Sequence, residues 1–214
     1  MTRDKLDYYP TPVWATEAML EFLDDKHPPK NKEAFEPCCG HGHISTILEE
    51  HGWDVRTNDI NTTSDADMHR DFVQLSGSEG EHEWIITNPP YQTPNYHAAD
   101  FVRRSLSLAK TGIIMLLRAS FLEPCLNRAE LLKTTPPALE LYIPRPRYIN
   151  GGTDSVTSVW CIWIREDGEW LPMQEDGQDF VCPSKRPPLE ERRLPTEERH
   201  EEQETSPGFL KDVL

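Results

Sequence analysis

The sequence predicts an α/β domain in which a mostly parallel β-sheet is flanked by helices. Short apolar strands alternate with helical segments from about residue 13 to residue 165. This alternation is typical of parallel sheets, because a crossover between parallel strands needs a long connection that is usually a helix. A turn containing two glycines joins the first predicted strand to the helix after it. With 214 residues, the chain is also long enough to bury a substantial core.

The individual elements follow from the spacing of apolar residues. The first helix begins at Val13, directly after the motif YPTP, because a residue that precedes a proline favours extended backbone. Side chains that recur three or four positions apart predict helices over residues 13–24, 44–51, 97–110 and 124–132. Apolar and β-branched runs predict strands over residues 34–36, 53–57, 84–87, 113–117, 139–143 and 155–165.

The composition changes at about Glu166. From there to the last residue, proline and charged residues dominate and few branched apolar side chains occur. Such a segment cannot bury enough apolar surface to offset the entropy that it would lose on ordering. We therefore predict one domain over residues 1–165 and an irregular, acidic, proline-rich and disordered tail over residues 166–214.

Charge and cysteine content limit the classes of protein that fit the chain. Lysine and arginine total 22 and aspartate and glutamate total 37, a net charge of −15, whereas domains that bind nucleic acid are usually basic. No apolar run approaches the roughly 20 residues of a membrane-spanning helix, and no signal peptide is visible. The five cysteines form no CxxC pair, so we predict no metal site and no disulfide framework. A reducing, cytoplasmic location is the expectation.

The first candidate site is the segment EPCCGHGHI between the first predicted strand and the following helix. Gly40 and Gly42 allow the backbone to approach a ligand closely where a helix begins. The third glycine of the dinucleotide fingerprint is missing, which argues against NAD. Glu36, at the end of the strand, suits a cationic amine better than a pyrophosphate.

Two acidic residues after later turns extend this candidate site. Asp59 ends the second predicted strand, 23 residues after Glu36, where a carboxylate suits the two hydroxyl groups of a ribose. Asp71 is followed by Phe72, so a carboxylate could accept a hydrogen bond from an adenine amino group while the ring packs against the base. Taken alone, Asp59 is more typical of a helix cap or a turn, but its place after the glycine turn favours the ribose. Asp71 and Phe72 alone are equally typical of a turn acid beside a core phenylalanine.

The most specific motif is NPPY, which directly follows the strand-like segment EWIIT. Two prolines constrain the backbone and provide no N–H donors, so the carbonyl of Pro89 and the side-chain oxygen of Asn88 are candidate acceptors. Two converging acceptors suit an exocyclic amino group, which has two hydrogens to donate. Tyr91 offers a flat face for a planar substrate.

In this order, the motifs resemble the gamma-type arrangement of the N6-adenine DNA methyltransferases, a group of S-adenosylmethionine-dependent amino-methyltransferases. The resemblance covers roughly residues 7–165. It implies a Rossmann-like methyltransferase fold, S-adenosylmethionine as cofactor, and transfer of a methyl group to N6 of adenine in DNA. The implied cofactor contacts are Tyr9, Thr11, Glu36, Pro37, Gly40, Gly42, Asp59, Asp71 and Phe72. The implied catalytic residues are Asn88, Pro89, Pro90 and Tyr91.

The substrate is expected to be DNA whose adenine is flipped out of the helix, or else RNA. The segment between Tyr91 and the predicted tail at residue 166 is too short for a large target-recognition domain. In the segment YIPRPRYINGG, Arg145 and Arg147 are therefore candidates for phosphate contact, and Tyr148 could stack on a base. The implied reaction requires neither a metal ion nor a covalent nucleophile, and no membrane partner is expected.

Other functions stay open at the level of sequence. NPPY also occurs in enzymes that methylate RNA bases or the side-chain amide of a protein glutamine, and the motif cannot separate these substrates. YPTP and the short second half favour nucleic acid. The acidic charge also fits a non-catalytic DNA mimic or interaction protein, although the cofactor loop and NPPY would then be coincidental.

Overall fold

The computed structural model describes residues 10–91, 93–144 and 157–181, which contain a mixed eight-stranded sheet with helices on both faces. The α-helices are α1 (Val13–Lys26), α2 (Ser45–Glu50), α3 (Gly77–Gly80), α4 (Ala98–Leu108) and α5 (Ala129–Thr134). The strands are β1 (Glu33–Glu36), β2 (Asp54–Thr57), β3 (His82–Thr87), β4 (Ala109–Arg118), β5 (Leu139–Ile143), β6 (Ser158–Glu166), β7 (Glu169–Trp170) and β8 (Gln178–Phe180). Short 3₁₀ helices cover Phe72–Gln74 and Ala119–Leu122.

The strand order β2-β1-β3-β4-β6-β5-β8, with β7 paired to β6, determines where a site can form. Among the described strands, β6 runs antiparallel to the others. The chain passes from β1 outward to β2 and then returns to the other side of β1 as β3. The connections after β1 and β3 therefore leave the sheet in opposite directions, and open α/β sheets bind ligands in the crevice at such a point.

Both faces of the central strands are apolar and buried. Successive residues of a strand point to opposite faces. In β3, Trp84 and Ile86 pack on the face covered by α1 and α2, whereas Ile85 packs on the face covered by α4 and α5. This two-sided burial is expected for strands that lie between two layers of helices.

The predicted α/β fold with a mostly parallel sheet is confirmed, and each predicted helix and strand has a counterpart. The helix predicted over residues 124–132 begins later, at Ala129, because the preceding residues form a turn in which the Arg128 amide donates to the Cys125 carbonyl oxygen (2.9 Å). In the described ranges, no helix has the length and apolar character needed to cross a membrane. The cytoplasmic location stays a prediction.

The structure corrects the start of the predicted acidic tail. Residues Glu169–Trp170 pair with β6 through Arg165 and Glu166, and Gln178–Phe180 form a parallel edge strand beside β5. The boundary at residue 166 is therefore too early, because main-chain hydrogen bonds and the stacking of Phe180 on Tyr142 attach this polar segment to the sheet. Residues 182–214 lie outside the described residues, so the rest of the tail stays a prediction.

The contact between Gly112 and Trp84 makes one position in the sheet intolerant of any side chain. The two residues are cross-strand partners in β3 and β4, and a methyl group on Gly112 would overlap the ring of the fully buried Trp84. We expect Gly112→Ala to lower the free energy of unfolding by about 1–3 kcal/mol, as overpacking of a core does. Chemical denaturation measures this change.

Gly77→Ala is the matched control for this substitution. A methyl group on Gly77 would approach the carboxylate end of the Glu81 side chain at 3.3 Å, and this side-chain end can move. Its free energy of unfolding should stay within about 0.5 kcal/mol of the wild type. Equal effects at the two positions would contradict the packing assigned to Trp84.

Candidate functional site

A cavity of about 370 Å³ lies at the carboxyl ends of β1, β2 and β3. Parallel strands bring their ends to one edge of a sheet, so residues that are distant in sequence meet there. The cavity is lined by the predicted site residues Thr11, Glu36, Pro37, Gly40, Asp59, Asp71, Phe72, Asn88 and Pro90. Most of the predicted cofactor set and half of the predicted catalytic loop therefore share one cavity.

The turn between β1 and α2 depends on two glycines with left-handed backbone. Gly40 has a φ of 56° and Gly42 a φ of 77°, a region that side chains disfavour. Gly42 does not line the cavity. Its amide instead donates to the Cys39 carbonyl oxygen (2.9 Å), and its carbonyl oxygen accepts from the Thr46 amide (3.0 Å). Gly42 therefore stabilises the turn through main-chain hydrogen bonds outside the cavity and connects it to the start of α2.

Glu36 is the most deeply buried acid at the cavity. Its side chain is 1% exposed, and its Oε2 accepts a hydrogen bond from the Ser45 amide at the start of α2 (2.8 Å). Burial raises the pKa of Glu36 to about 8, because desolvation disfavours the charged form more than the Ser45 hydrogen bond stabilises it. Without a ligand, Glu36 is therefore mostly protonated at neutral pH.

Asp59 connects the ends of β1 and β2. Its Oδ2 accepts from the Gly40 amide (2.7 Å), and its Oδ1 accepts from the Asn61 amide (2.8 Å). The same carboxylate that the sequence predicted for a ribose therefore also orients the glycine turn. It lies in the cavity wall and is half-buried.

Asp71 and Phe72 form a third part of the wall. One Asp71 oxygen accepts from the Val73 amide (3.1 Å) and the other from the Tyr96 hydroxyl (3.0 Å). The Tyr96 hydroxyl in turn accepts a hydrogen bond from the Gln74 side chain (2.8 Å). Phe72 is 3% exposed and its ring lies 6.0 Å from that of Phe101, so it also belongs to the core.

Tyr96 is a cavity residue that the sequence did not predict. It follows NPPY in a loop with no regular pattern, so no local signal pointed to it. Its hydroxyl links this loop to Asp71, and its ring packs edge-on against Phe101 (centroids 6.3 Å apart). Tyr96 therefore couples the loop after NPPY to the acidic wall of the cavity.

The predicted catalytic loop is only partly in the cavity. Asn88 and Pro90 line it, whereas Pro89 and Tyr91 do not. The Asn88 amide nitrogen donates to the Thr11 hydroxyl (3.1 Å), which orients the side chain relative to the residues that precede α1. Tyr91 packs against the core, and the Arg118 guanidinium lies over its ring, 4.8 Å from the centroid.

Two adjacent thiols and two histidines also line the cavity, at Cys38, Cys39, His41 and His43. Burial, with Glu36 nearby, raises the pKa of Cys39 to about 12. Burial and the charge of Asp59 raise the pKa of Cys38 well above its ordinary value. Both thiols are therefore protonated at neutral pH, and neither is an activated nucleophile.

The acidic groups of the cavity indicate which ligands it can accept. Glu36, Asp59 and Asp71 all line it, and the lining arginine Arg70 lies 3.4 Å from the carboxylate of Glu79. Such a wall disfavours a pyrophosphate, whose charge is negative, and favours a ligand that carries positive charge and hydrogen-bond donors.

Four predicted site residues, Tyr9, Arg145, Arg147 and Tyr148, lie outside the described residues. The roles predicted for them therefore stay predictions. Within the described ranges, no group of three or more His, Cys, Asp or Glu side chains is arranged to hold a metal ion.

Comparison with known proteins identifies the fold. No protein-family model matches the chain. It is 27% identical over 105 residues to ribosomal RNA small subunit methyltransferase C of Alcanivorax borkumensis, a match that covers 44% of this chain and 32% of the relative. Among solved structures, a Listeria monocytogenes protein described as a class I S-adenosylmethionine-dependent methyltransferase has a TM-score of 0.63 and 14% identity, over 83% of this chain and 67% of that one.

A second solved structure extends the likeness over more of the chain. A Vibrio vulnificus protein described as a modification subunit of a type I restriction enzyme has a TM-score of 0.59 and 12% identity, over 92% of this chain and 52% of that one. The chain thus has the class I S-adenosylmethionine-dependent methyltransferase fold. It spans about a third of the length of the curated relative that it matches.

The raised pKa of the buried Glu36 carboxyl makes the free energy of unfolding depend on pH between about 4.5 and about 8. The pKa is about 8 in the folded protein and about 4.5 ordinarily, so between these pH values the folded state holds a proton that the unfolded state has lost. We expect the stability of the ligand-free wild type, relative to Glu36→Gln, to fall as pH rises from about 4.5 to about 8. Denaturant unfolding of both proteins across this range measures the difference.

Glu36→Gln is the appropriate reference because it mimics the protonated acid and retains an oxygen that can accept from Ser45. Other titrating groups affect both proteins alike and cancel in the comparison. A stability difference that stays constant from pH 5 to pH 8 would show that Glu36 is ionised in the folded protein.

Proposed function

We propose that the protein is an S-adenosylmethionine-dependent methyltransferase that transfers a methyl group to the N6 amino group of adenine in DNA. The observation that carries this proposal is the position of Asn88. Its side chain reaches, from the end of β3, the same cavity that Glu36 and Asp59 line at the ends of β1 and β2. An acceptor for an amino group thus lies beside a wall suited to a cationic, hydroxyl-bearing cofactor.

The residues present fit S-adenosylmethionine. Glu36 would face its amino acid part, Asp59 its ribose hydroxyls, and Asp71 with Phe72 its adenine. When bound, the cofactor supplies a methyl group activated by a sulfonium. A nearby cationic amine stabilises the ionised form of Glu36, so we expect this carboxyl to lose its proton when the cofactor binds. The resemblance of the fold to class I enzymes supports the same cofactor.

Asn88 and Pro89 would act on the amine itself. The lone pair of an aromatic amine is delocalised into the ring, which makes the nitrogen a poor nucleophile. Pro89 does not line the cavity itself, but its carbonyl belongs to the backbone between the lining residues Asn88 and Pro90. If this carbonyl and the Asn88 side-chain oxygen accept the two hydrogens of the amine, the nitrogen shifts toward a tetrahedral form with a localised lone pair. The bond from Asn88 Nδ2 to the Thr11 hydroxyl orients this side chain at the end of β3. Positioning supplies much of the remaining acceleration.

Tyr91 is proposed to stack on the target base. The Arg118 guanidinium covers one face of its ring, so a base would use the opposite face. In duplex DNA, the adenine must leave the helix to reach this position, and unstacking costs a few kcal/mol. Tyr91 does not line the cavity, so stacking would hold the base beside the cavity rather than within it.

Two substrates have specific support from the comparisons. The likeness to a restriction modification subunit favours DNA, whereas the sequence match to a ribosomal RNA methyltransferase favours RNA as the second candidate. Incubation with methyl-tritiated S-adenosylmethionine and separate DNA, RNA and protein substrates distinguishes them. Label on N6-methyladenine in DNA supports the proposal. Label confined to RNA or protein would identify that class as the substrate instead of DNA. Absence of label from every fraction would contradict the proposed methyltransferase activity.

Removal of the Asp59 carboxylate should weaken cofactor binding. Charge-assisted hydrogen bonds to a ribose are each worth about 1.5–3 kcal/mol, so Asp59→Ala should bind S-adenosylmethionine about ten- to a hundredfold more weakly. Asp67→Ala is the matched control, because Asp67 also accepts hydrogen bonds from the end of β2, at Thr57, but does not line the cavity. Calorimetry that finds equal affinities in the two variants would remove Asp59 from the cofactor site.

Asn88→Ala should separate catalysis from cofactor binding. It removes an acceptor at the reacting amine and leaves Glu36, Asp59 and Asp71 in place. We expect the single-turnover methylation rate to fall by about 10²–10³, as when a transition-state hydrogen bond is removed, with little change in cofactor affinity. Tyr91→Ala should instead weaken capture of the substrate, by about 1–3 kcal/mol. A wild-type rate in Asn88→Ala would show that NPPY is not the catalytic loop.

A further inference from the structure

A shallow groove of about 520 Å³ adjoins the cavity along α4. Asn95 and Tyr96 line both the groove and the cavity, so the two are continuous. Arg103 and Arg104, in the middle of α4, form the charged wall of the groove. Two adjacent guanidinium groups beside the proposed active site are notable in a chain whose net charge is −15.

Arg104 has unused hydrogen-bonding capacity. Its Nε is buried without a hydrogen-bond partner among the described residues, and its Nη1 makes a long contact with the Ser107 hydroxyl (3.3 Å). No carboxylate in the described part of the chain forms an ion pair with it. The guanidinium of Arg104 therefore has no competing carboxylate in the described part of the chain and lines the groove.

Arg103 makes one exposed ion pair and one hydrogen bond to the main chain. Its nearest carboxylate, Asp100, lies at 3.4 Å, and both side chains are substantially exposed, so the ion pair contributes little in water. Arg103 also donates to the Asn127 carbonyl oxygen in the loop after β4. The other Asp100 oxygen accepts from the His97 amide (2.9 Å), which binds this carboxylate to the start of α4.

These features fit a phosphodiester backbone. A guanidinium donates two parallel hydrogen bonds to phosphate oxygens, a geometry that a lysine ammonium cannot reproduce. An acidic protein that methylates a nucleic acid needs local cations at the point of contact, because phosphate neutralisation supplies much of the affinity. Tyr96 lies where a strand would pass from the groove into the cavity.

We infer that this arginine groove binds the phosphates of the nucleic acid strand whose base enters the cavity, with Arg103 and Arg104 as the phosphate ligands. The inference rests on the proposed function, which makes a nucleic acid the substrate. It adds the surface of the protein that would position this nucleic acid. Asp100 reduces the local positive charge, and the His97 amide binds one of its two oxygens.

Equilibrium binding of a fluorescent single-stranded DNA oligonucleotide tests the groove independently of catalysis. The test variant is Arg103→Gln/Arg104→Gln. The control is Lys30→Gln/Lys110→Gln, which removes the same charge at the amino ends of β1 and β4, on the opposite edge of the sheet. We expect the test variant to bind at least tenfold more weakly than the control. Its dependence of log Kd on log salt should be shallower by about 0.7 for each phosphate that is no longer neutralised. Melting temperatures confirm that both variants are folded.

The outcomes separate the groove from the proposed function. Equal affinity and equal salt dependence in the two variants, or absence of binding by the wild type, would contradict the inference that this groove binds phosphates. Methylation of the same oligonucleotide by the wild type is measured in parallel. If the wild type binds the oligonucleotide through these arginines but does not methylate it, the phosphate-binding groove is supported and the proposed function is contradicted. If the wild type methylates the oligonucleotide but binds it independently of the arginines, the proposed function is supported and the groove is contradicted.

Discussion

The hydrogen bonds of one buried asparagine, Asn58, hold the edge of the cavity together. Its backbone amide donates to Glu36, its backbone carbonyl accepts from Cys39, and its side chain bonds to the main chain at Pro37 and Arg70. The residue is fully buried, and each such group left without a partner costs about 1–3 kcal/mol. The loops after β1 and β2 therefore keep a single relative arrangement, on which the positions of the acidic groups depend.

The cavity concentrates acidic groups, and the most deeply buried of them, Glu36, is mostly neutral without a ligand. Glu36 is buried, and its raised pKa keeps it mostly neutral until a cation is present. Asp59 and Asp71 remain in the wall because backbone amides and the Tyr96 hydroxyl donate to them. A cationic ligand would thus meet acceptors that are already oriented, which reduces the entropy lost on binding. The protonated thiols of Cys38 and Cys39 add polar surface without reactivity.

The arrangement separates two kinds of recognition on an acidic protein. The wall proposed to bind the cofactor is acidic and lies at the ends of β1 and β2, whereas the cations Arg103 and Arg104 lie on α4 beyond the loop that follows NPPY. Tyr96 belongs to both surfaces and bonds to Asp71. A polyanion is repelled by most of the surface of such a chain, so local cations beside the cavity can restrict where it binds.

The sequence by itself determined most of the strands and helices along the chain and placed Glu36, Asp59 and Asn88 among the candidate site residues. Each of these signals is local, because periodicity defines a strand and residues at or just after its end lie at the carboxyl ends of a parallel sheet. Tertiary structure decided what no local pattern encodes. The hydrogen bond between Thr11 and Asn88 joins residues 77 positions apart. Arg118, at the end of β4, lies over the ring of Tyr91. Tyr96 lies in a loop without periodicity and donates a hydrogen bond to Asp71. The polar segment Gln178–Phe180 likewise became a strand because it pairs with β5 through main-chain hydrogen bonds and through the stacking of Phe180 on Tyr142, which its own sequence pattern does not show.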